Sequence, residues 1–200
     1  MQRFYVTALV LIASTVTSHA DHCRDTFNKY MMGRIAKELP GVSRMIWEYK
    51  NAGKSEGEFV FLSRDHYMSR PVKPDRGVWV LSWNGSRYMS SNKGKSWKRI
   101  SSYKKEDEIR NHASVVTTEM KAATKLVCGE EILDGIRHAT FAFETLQTEP
   151  ARIFSRQKHW VDIQKGYSTK TVSFVSGPGS EMTITVFWKP AQGATLPKPQ

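Results

Sequence analysis

The sequence predicts an α+β fold in which a large curved antiparallel sheet carries helices on its concave face. After residues 1–20, a helical stretch, a run of strands, a second helical stretch and a further run of strands follow one another. Short turn-forming sequences separate the strands, which favours antiparallel hairpins. The 180 residues after residue 20 contain no repeat and no linker, so we expect a single domain.

Residues 1–20 have the layout of a secretory signal peptide. Arg3 is followed by an uncharged run to Ser18, and Ser18-His19-Ala20 has small residues at its first and third places. The apolar part is too short to span a bilayer, which takes about 20 apolar residues. The alternative is an ordinary buried helix or strand. We expect cleavage after Ala20 and a soluble, exported protein, which in a Gram-negative cell is periplasmic.

The first elements of the mature chain are a helix and a series of short strands. Apolar residues spaced by three and four predict a helix over residues 24–39, which Pro40-Gly41 ends. The period then changes to two in RMIWEYK, and EFVFLS is apolar on both faces. Asn84-Gly85 is a residue pair favoured at two-residue hairpin turns, so VWVLSW and SRYMS are predicted to pair.

The second half repeats this order. A helical stripe predicts a helix over residues 106–125. After CGEEILDG come four strand candidates, IRHATFAFETL, RIFSRQKHWVDI, GYSTKTVSFVS and EMTITVFW. The predicted domain covers residues 21–190, and residues 191–200 are expected to be a disordered tail. A sheet of this length curls, and helices that only partly fill its concave side leave an apolar pocket.

The two cysteines, Cys23 and Cys128, favour a disulfide. An isolated pair in an exported protein is usually oxidised, and neither cysteine belongs to a C-x-x-C motif. Two free thiols are the alternative.

The chain is strongly basic, with a net charge of +11 that falls to +10 once residues 1–20 and their Arg3 are removed. Such a surface is attracted to anionic lipid head groups, anionic glycans or nucleic acid, or it serves solubility alone. The densest patch is a basic rim formed by Lys93, Lys95, Lys98 and Arg99. Because this patch contains a single Trp, it is only weak evidence for nucleic-acid binding. An exported protein also rarely meets nucleic acid. The alternative role of these charges is protection of a sheet edge against aggregation.

The stretch SRQKHWVDIQKGYSTKTVSF reads as two strands joined by a turn at Gly166. Together with NGSRYMSSNKGKSWKRI, CGEEILDGIRHATFAFE and the order of elements, it resembles the LolA/LolB-like superfamily of periplasmic lipoprotein carriers. Tyr167-Ser168 departs from the pattern, in which a proline is common after the glycine. The resemblance implies an open half-barrel, with Trp160 and Val161 packing in a strand, and a concave apolar cavity for acyl chains or other lipidic ligands.

Residues of one parity within each strand share a sheet face. This rule selects seven candidates for the lining of the cavity, namely Trp47, Phe59, Phe61, Trp79, Trp83, Phe141 and Phe143.

Motifs of catalysis are absent from the sequence. The histidines form no H-E-x-x-H pattern, and G-x-S-x-G does not occur. We therefore expect no catalytic residue, no metal and no cofactor, although a copper site at Met31, Met32 and His22 is an alternative. Three functions stay open: a carrier for a lipidic ligand or acyl chain, a cell-envelope protein that binds an anionic polymer or protein partner through its basic surface, and an unrecognised enzyme.

Overall fold

The computed structural model describes residues 14–36, 39–191 and 193–199. Within these residues, two helices and eleven strands follow one another: α1 (Ser14–Ala36), β1 (Gly41–Tyr49), β2 (Gly53–Ser63), β3 (His66–Lys73), β4 (Trp79–Trp83), β5 (Ser86–Ser90), β6 (Lys98–Ser102), α2 (Lys105–Ala122), β7 (Thr124–Leu133), β8 (Ile136–Gln147), β9 (Ile153–Asp162), β10 (Ser168–Gly177) and β11 (Ser180–Pro190).

All eleven strands belong to one antiparallel sheet that does not close. Their order is β6-β5-β4-β3-β2-β1-β11-β10-β9-β8-β7, so β1 and β11 meet at the centre while β6 and β7 form the edges. Every other neighbouring pair is consecutive in the chain, as expected for hairpin connections. This open sheet with two helices confirms the predicted α+β half-barrel.

Local turn chemistry accounts for several of the hairpins. Asn84 and Gly85 both have positive φ, 47° and 71°, which is the conformation that a two-residue turn between β4 and β5 requires. Gly166 lies in the turn between β9 and β10, where the sequence placed it, and Trp160 pairs with Lys170 across the two strands. The predicted helices are present, with α1 ending before Leu39 and α2 shifted by a few residues.

Both helices pack on the same face of the sheet, which we call the inner face; the opposite side is the outer face. The closest packing is against β7 and β8. There the side chains are fully buried, and the cluster consists of Phe27, Met31, Val116, Ala123, Phe141, Phe143 and Val161. Neither helix of the described residues is long and apolar enough to cross a membrane.

Two segments differ from the expectation. CGEEIL belongs to strand β7, a strand that precedes the four predicted from the sequence and was not among them. Most of its side chains are exposed, which explains why its composition is polar. The predicted signal peptide lies largely outside the described residues, and residues 14–20 form the start of α1.

The C-terminal segment also differs, because residues 193–199 do not extend away from the domain as a disordered tail. Ala194 and Leu196 pack against an outer-face cluster of Val60, Met68 and Leu81. Ala191 N donates a hydrogen bond to Pro40 O at 3.2 Å, which holds the start of this segment against the sheet. Burial of apolar side chains from both partners explains its placement.

Cys23 in α1 and Cys128 in β7 form the predicted disulfide, with their Cα atoms 5.6 Å apart. The bond ties α1 to an edge strand of the sheet, across 105 residues of sequence. A closed loop of this length restricts the unfolded chain, which in the chain-entropy description stabilises the fold by about 4–5 kcal/mol, with measured values often lower.

Mass measurement tests this bond. Alkylation of the unfolded protein without reductant is expected to add no alkyl group, and reduction beforehand is expected to add two. A protein with both cysteines changed to Ala should unfold at lower urea concentration because its unfolded chain is less restricted. Two alkyl groups taken up without reductant would contradict the pairing.

Candidate functional site

The inner face changes character from one side of the sheet to the other. Beneath the helices, on β8, Phe141 and Phe143 are completely buried. On the central strands the large apolar side chains of the inner face are only half-buried. These side chains form what we call the inner row: Met45, Trp47, Phe59, Phe61, Tyr67 and Ile184.

The pairing of strands brings the inner row together. Trp47 of β1 stands directly opposite Ile184 of β11, and Phe61 of β2 stands opposite Tyr67 of β3. The ring of Phe59 lies 5.5 Å from that of Tyr67 and 6.3 Å from that of Phe61. Side chains that face one another across neighbouring strands form one continuous surface. The inner row is therefore an apolar strip along the middle of the sheet.

Close approach of backbone and ring shapes this strip at Gly57. A Cβ built on Gly57 would lie 2.9 Å from the ring of Trp47, so only glycine leaves room for the indole. The indole ring of Trp47 therefore lies against the backbone of β2 at this position.

The structure places the seven predicted lining residues on both faces. Trp47, Phe59, Phe61, Phe141 and Phe143 share the inner face, although the last two lie buried under the helices. The prediction that Trp79 and Trp83 belong with them is wrong. Because Met68 pairs with Leu81, both tryptophans lie on the outer face. This register follows from the turn between β3 and β4, whose length and shape the strand pattern does not reveal.

A chain of polar side chains fixes the helices over the inner face. Tyr30 Oη donates to His159 Nδ1 at 2.8 Å, and His159 Nε2 donates to Gln157 Oε1 at 3.1 Å. Gln157 Nε2 then donates to Glu119 Oε1 at 2.6 Å, and Glu119 forms an ion pair with Arg34 at 3.1 Å. The chain connects α1, β9 and α2, so it sets the height of both helices above the sheet.

His159 is neutral in this chain. Its Nε2 must carry the proton, since the amide nitrogen of Gln157 donates to Glu119 and leaves the amide oxygen facing the imidazole. Burial, with a smaller effect from the nearby Arg34 guanidinium, lowers the pKa of His159 from 6.5 to about 3. Burial likewise raises the pKa of Tyr30 above 10.0, which keeps its hydroxyl a donor.

The second anchor of α2 lies at its first turns. Glu108 forms an ion pair with Arg87 of β5, and Lys105 Nζ lies 3.6 Å from Asp65 Oδ1 in the turn between β2 and β3. Since the other end of α2 packs on β8, the helix crosses the inner face from one side of the sheet to the other.

The basic rim lies at the β6 edge of the sheet. Lys98 and Arg99 belong to β6, all of whose side chains are exposed, and Lys95 is exposed in the turn before it. Lys93 forms an ion pair with Asp75 at 2.5 Å, and Arg99 donates to Ser102 Oγ at 2.7 Å. Two of the four cations thus already have partners.

Two cavities lie on the outer face. The larger has a volume of about 840 Å³ between the C-terminal segment and strands β1–β4, and a smaller one of about 330 Å³ adjoins it beside Val72 and Phe187. The apolar pocket expected from the sequence was placed on the concave side, and these cavities do not occupy that position.

Several residues of this arrangement escaped the sequence analysis. Met45 and Ile184 were seen as alternating strand residues, but only the pairing of β1 with β11, more than a hundred residues apart, sets Met45 opposite Val186 and Trp47 opposite Ile184. The roles of Tyr30, Gln157 and His159 depend on helix placement, for which a single sequence contains no signal.

Eleven chains of solved structures match this chain, and two of them are as follows. A LolA superfamily protein from Nitrosomonas europaea matches with 8% sequence identity and a TM-score of 0.36, over 88% of this chain and 94% of that chain. The hypothetical lipoprotein YmcC from Escherichia coli matches with 9% identity and a TM-score of 0.36, over 78% of this chain and 90% of that chain. No protein-family model matches the chain, and no curated protein matches it. At these values the likeness carries no argument about ligand or partner.

The neutral His159 makes stability depend on pH. The unfolded chain takes up a proton near pH 6.5, whereas folded His159 does so only near pH 3, so the free energy of unfolding falls as the pH drops through this window. Between pH 7 and pH 5 we expect a loss of about 2 kcal/mol from this group. Urea unfolding at pH 7, 6 and 5 measures it.

Matched variants separate this effect from the carboxylates, which titrate mainly below pH 5. His159→Phe should be less stable at pH 7 and should lose most of the dependence between pH 7 and pH 5, the remainder coming from His112, whose pKa burial also lowers. His22→Gln, at an exposed position of α1, should keep the full dependence. An unchanged dependence in His159→Phe would show that another group is responsible.

Proposed function

We propose that this chain is an exported, soluble binding or carrier protein, without catalytic activity, whose inner face shelters a lipidic ligand or an acyl chain. The observation that supports this most directly is the inner row. Its six apolar side chains are continuous across β1, β2, β3 and β11, yet they remain half-buried in the folded domain.

An unfilled apolar strip of this kind has a cost. Each Å² of apolar surface left in water costs about 25 cal/mol of free energy relative to the buried state. Covering the strip would therefore stabilise the folded domain. Contiguous apolar patches that remain on a folded protein generally mark interaction sites. An acyl chain offers uniform apolar surface and no polar group that needs a partner, which matches a strip formed by Met, Ile and aromatic side chains.

The position of the helices agrees with this role. Anchors at both ends hold α2 across the inner face, and α1 packs beside it through the Arg34–Glu119 ion pair. A ligand lying on the inner row would be bounded by the sheet on one side and by the helices on the other. The signal peptide expected from residues 1–20 would place such a carrier in the periplasm.

Dye binding tests the inner row. The neutral apolar dye N-phenyl-1-naphthylamine should bind the folded protein and quench its tryptophan fluorescence. Phe61→Asp places a charge in the strip and should weaken binding at least tenfold, because the carboxylate, together with the Arg64 guanidinium that lies 5.7 Å from the Phe61 ring, replaces apolar contact surface with hydrated charge. Val127→Asp is the matched control, since Val127 is exposed and lies on the outer side of edge strand β7. Equal dye affinity in Phe61→Asp and the wild type, with both folded, would contradict the proposal.

A second contact is proposed at the basic rim, through which the protein would approach an anionic membrane surface or an anionic polymer. Lys95 and Lys98 support it, since both are exposed at the edge of the sheet. Each cation near an anionic membrane contributes on the order of 1 kcal/mol, and this contribution fades as salt is raised.

Vesicle co-sedimentation measures how much the basic rim contributes to membrane binding. The wild type should bind vesicles of phosphatidylglycerol more strongly than those of phosphatidylcholine, and less so at high salt. Changing the four rim residues to Gln should remove most of this difference. The control variant carries four Gln substitutions at exposed cations elsewhere, namely Lys29, Lys50, Lys121 and Lys198. If both variants lose binding equally, net charge accounts for it and the rim has no specific part.

A further inference from the structure

The larger outer-face cavity has a mixed lining, with apolar residues on two sides among polar and charged ones. Its floor is formed by Val42, Val60, Met68 and Trp79 of the first four strands. Its roof is the C-terminal segment, which contributes Ala194, Leu196 and Pro197. A volume of about 840 Å³ is within the range of small-molecule sites, about 300–1,000 Å³. The segment therefore covers the sheet without filling the space beneath it.

Charge at this cavity is unbalanced. Arg70, Lys93 and Lys189 line it, against one carboxylate, that of Glu58. Glu58 is already neutralised by Arg70, whose Nη2 lies 2.6 Å from its Oε1. Lys93 has Asp75 as a partner. The cavity as a whole thus carries an excess of positive charge.

Lys189 lies where the two outer-face cavities meet. It lines both the larger cavity and the adjoining one of about 330 Å³, and within the described residues its ammonium group forms no ion pair. A cation without a partner beside an apolar space favours a ligand with one anionic group and an apolar body.

We propose that this outer-face cavity is a second binding site, separate from the inner row, for a single-chain amphiphile with an anionic carboxylate or phosphate head. The chain of the amphiphile lies beside Val42, beneath the C-terminal segment, and its head meets Lys189. The C-terminal segment acts as the wall that closes the site. This site does not depend on the inner row binding a ligand.

Calorimetric titration with dodecanoate, dodecyl phosphate and 1-dodecanol tests the chemistry. Both anions should bind, and the alcohol should bind at least tenfold more weakly, because it offers no charge to Lys189. Preference between dodecanoate and dodecyl phosphate identifies the head group. Equal affinity for the alcohol and the anions would overturn the proposal.

Single substitutions then test whether the amphiphile binds in the outer-face cavity. Lys189→Gln should weaken dodecanoate binding about three- to tenfold, whereas Lys198→Gln, which removes a cation of the same segment outside the cavity lining, should leave it unchanged. Ala194→Trp fills the space from the roof, where no sheet residue is altered, and should weaken binding more than tenfold. Unchanged affinity in both Lys189→Gln and Ala194→Trp would overturn the proposal.

Photolabelling separates this site from the inner row. A diazirine derivative of dodecanoate, followed by peptide mass spectrometry, should label the peptides of Met68 and Leu196 in the wild type and equally in Phe61→Asp. Labels confined to the inner row would overturn the outer site while supporting the proposed carrier function. Labels at the outer site alone, together with unchanged dye binding in Phe61→Asp, would leave the second site standing and remove the first.

Discussion

Helix α2 constrains the whole sheet, because it carries the chain from one edge strand to the other. It begins three residues after β6 ends and finishes two residues before β7 begins. Eighteen helical residues extend about 27 Å at 1.5 Å each, whereas eleven flat strands would span about 48 Å. The short linkers cover little of the difference. The sheet must therefore curl until its two edges approach each other across the inner face.

This requirement determines where side chains are buried. Near β7 and β8 the helices reach the sheet, and Phe27, Phe141 and Phe143 pack there with ring centroids 5.0 to 5.8 Å apart. Over the central strands the curled sheet falls away from the helices, and side chains such as Trp47 and Phe59 stay half-buried. Large apolar side chains lie both near β7 and β8 and on the central strands. The same face is therefore a closed core in one half and an open apolar strip in the other. The buried chain of hydrogen bonds through His159 keeps the distance between the helices and the sheet fixed. If a helix moved, the donors and acceptors of this chain would be left unsatisfied.

The sequence allowed the fold to be predicted to the extent that local signals specify it. Alternation identified the strands, Asn84-Gly85 identified a hairpin, and the isolated pair of cysteines identified the disulfide. The pairing of β1 with β11 and the offset between β3 and β4 depend on contacts distant in sequence, and the misplaced faces of Trp79 and Trp83 follow from that offset. For the same reason the inner row was found in part, through Trp47, Phe59 and Phe61, while its partners on β3 and β11 were missed.

Strand β2 explains why the C-terminal segment is part of the domain. Phe59 and Phe61 point to the inner face while Val60 and Leu62 point outward, so the strand is apolar on both sides. The helices lie on one side only, and without a second cover Val60 and its neighbours Met68 and Leu81 would face water. Ala194 and Leu196 provide this cover. Since the segment meets the sheet through small and medium side chains, it excludes water from the cluster at Leu81 but leaves space beside Val42 and Lys189. The outer cavity is thus a consequence of covering a two-sided apolar strand with a short, proline-containing segment and not with a third helix.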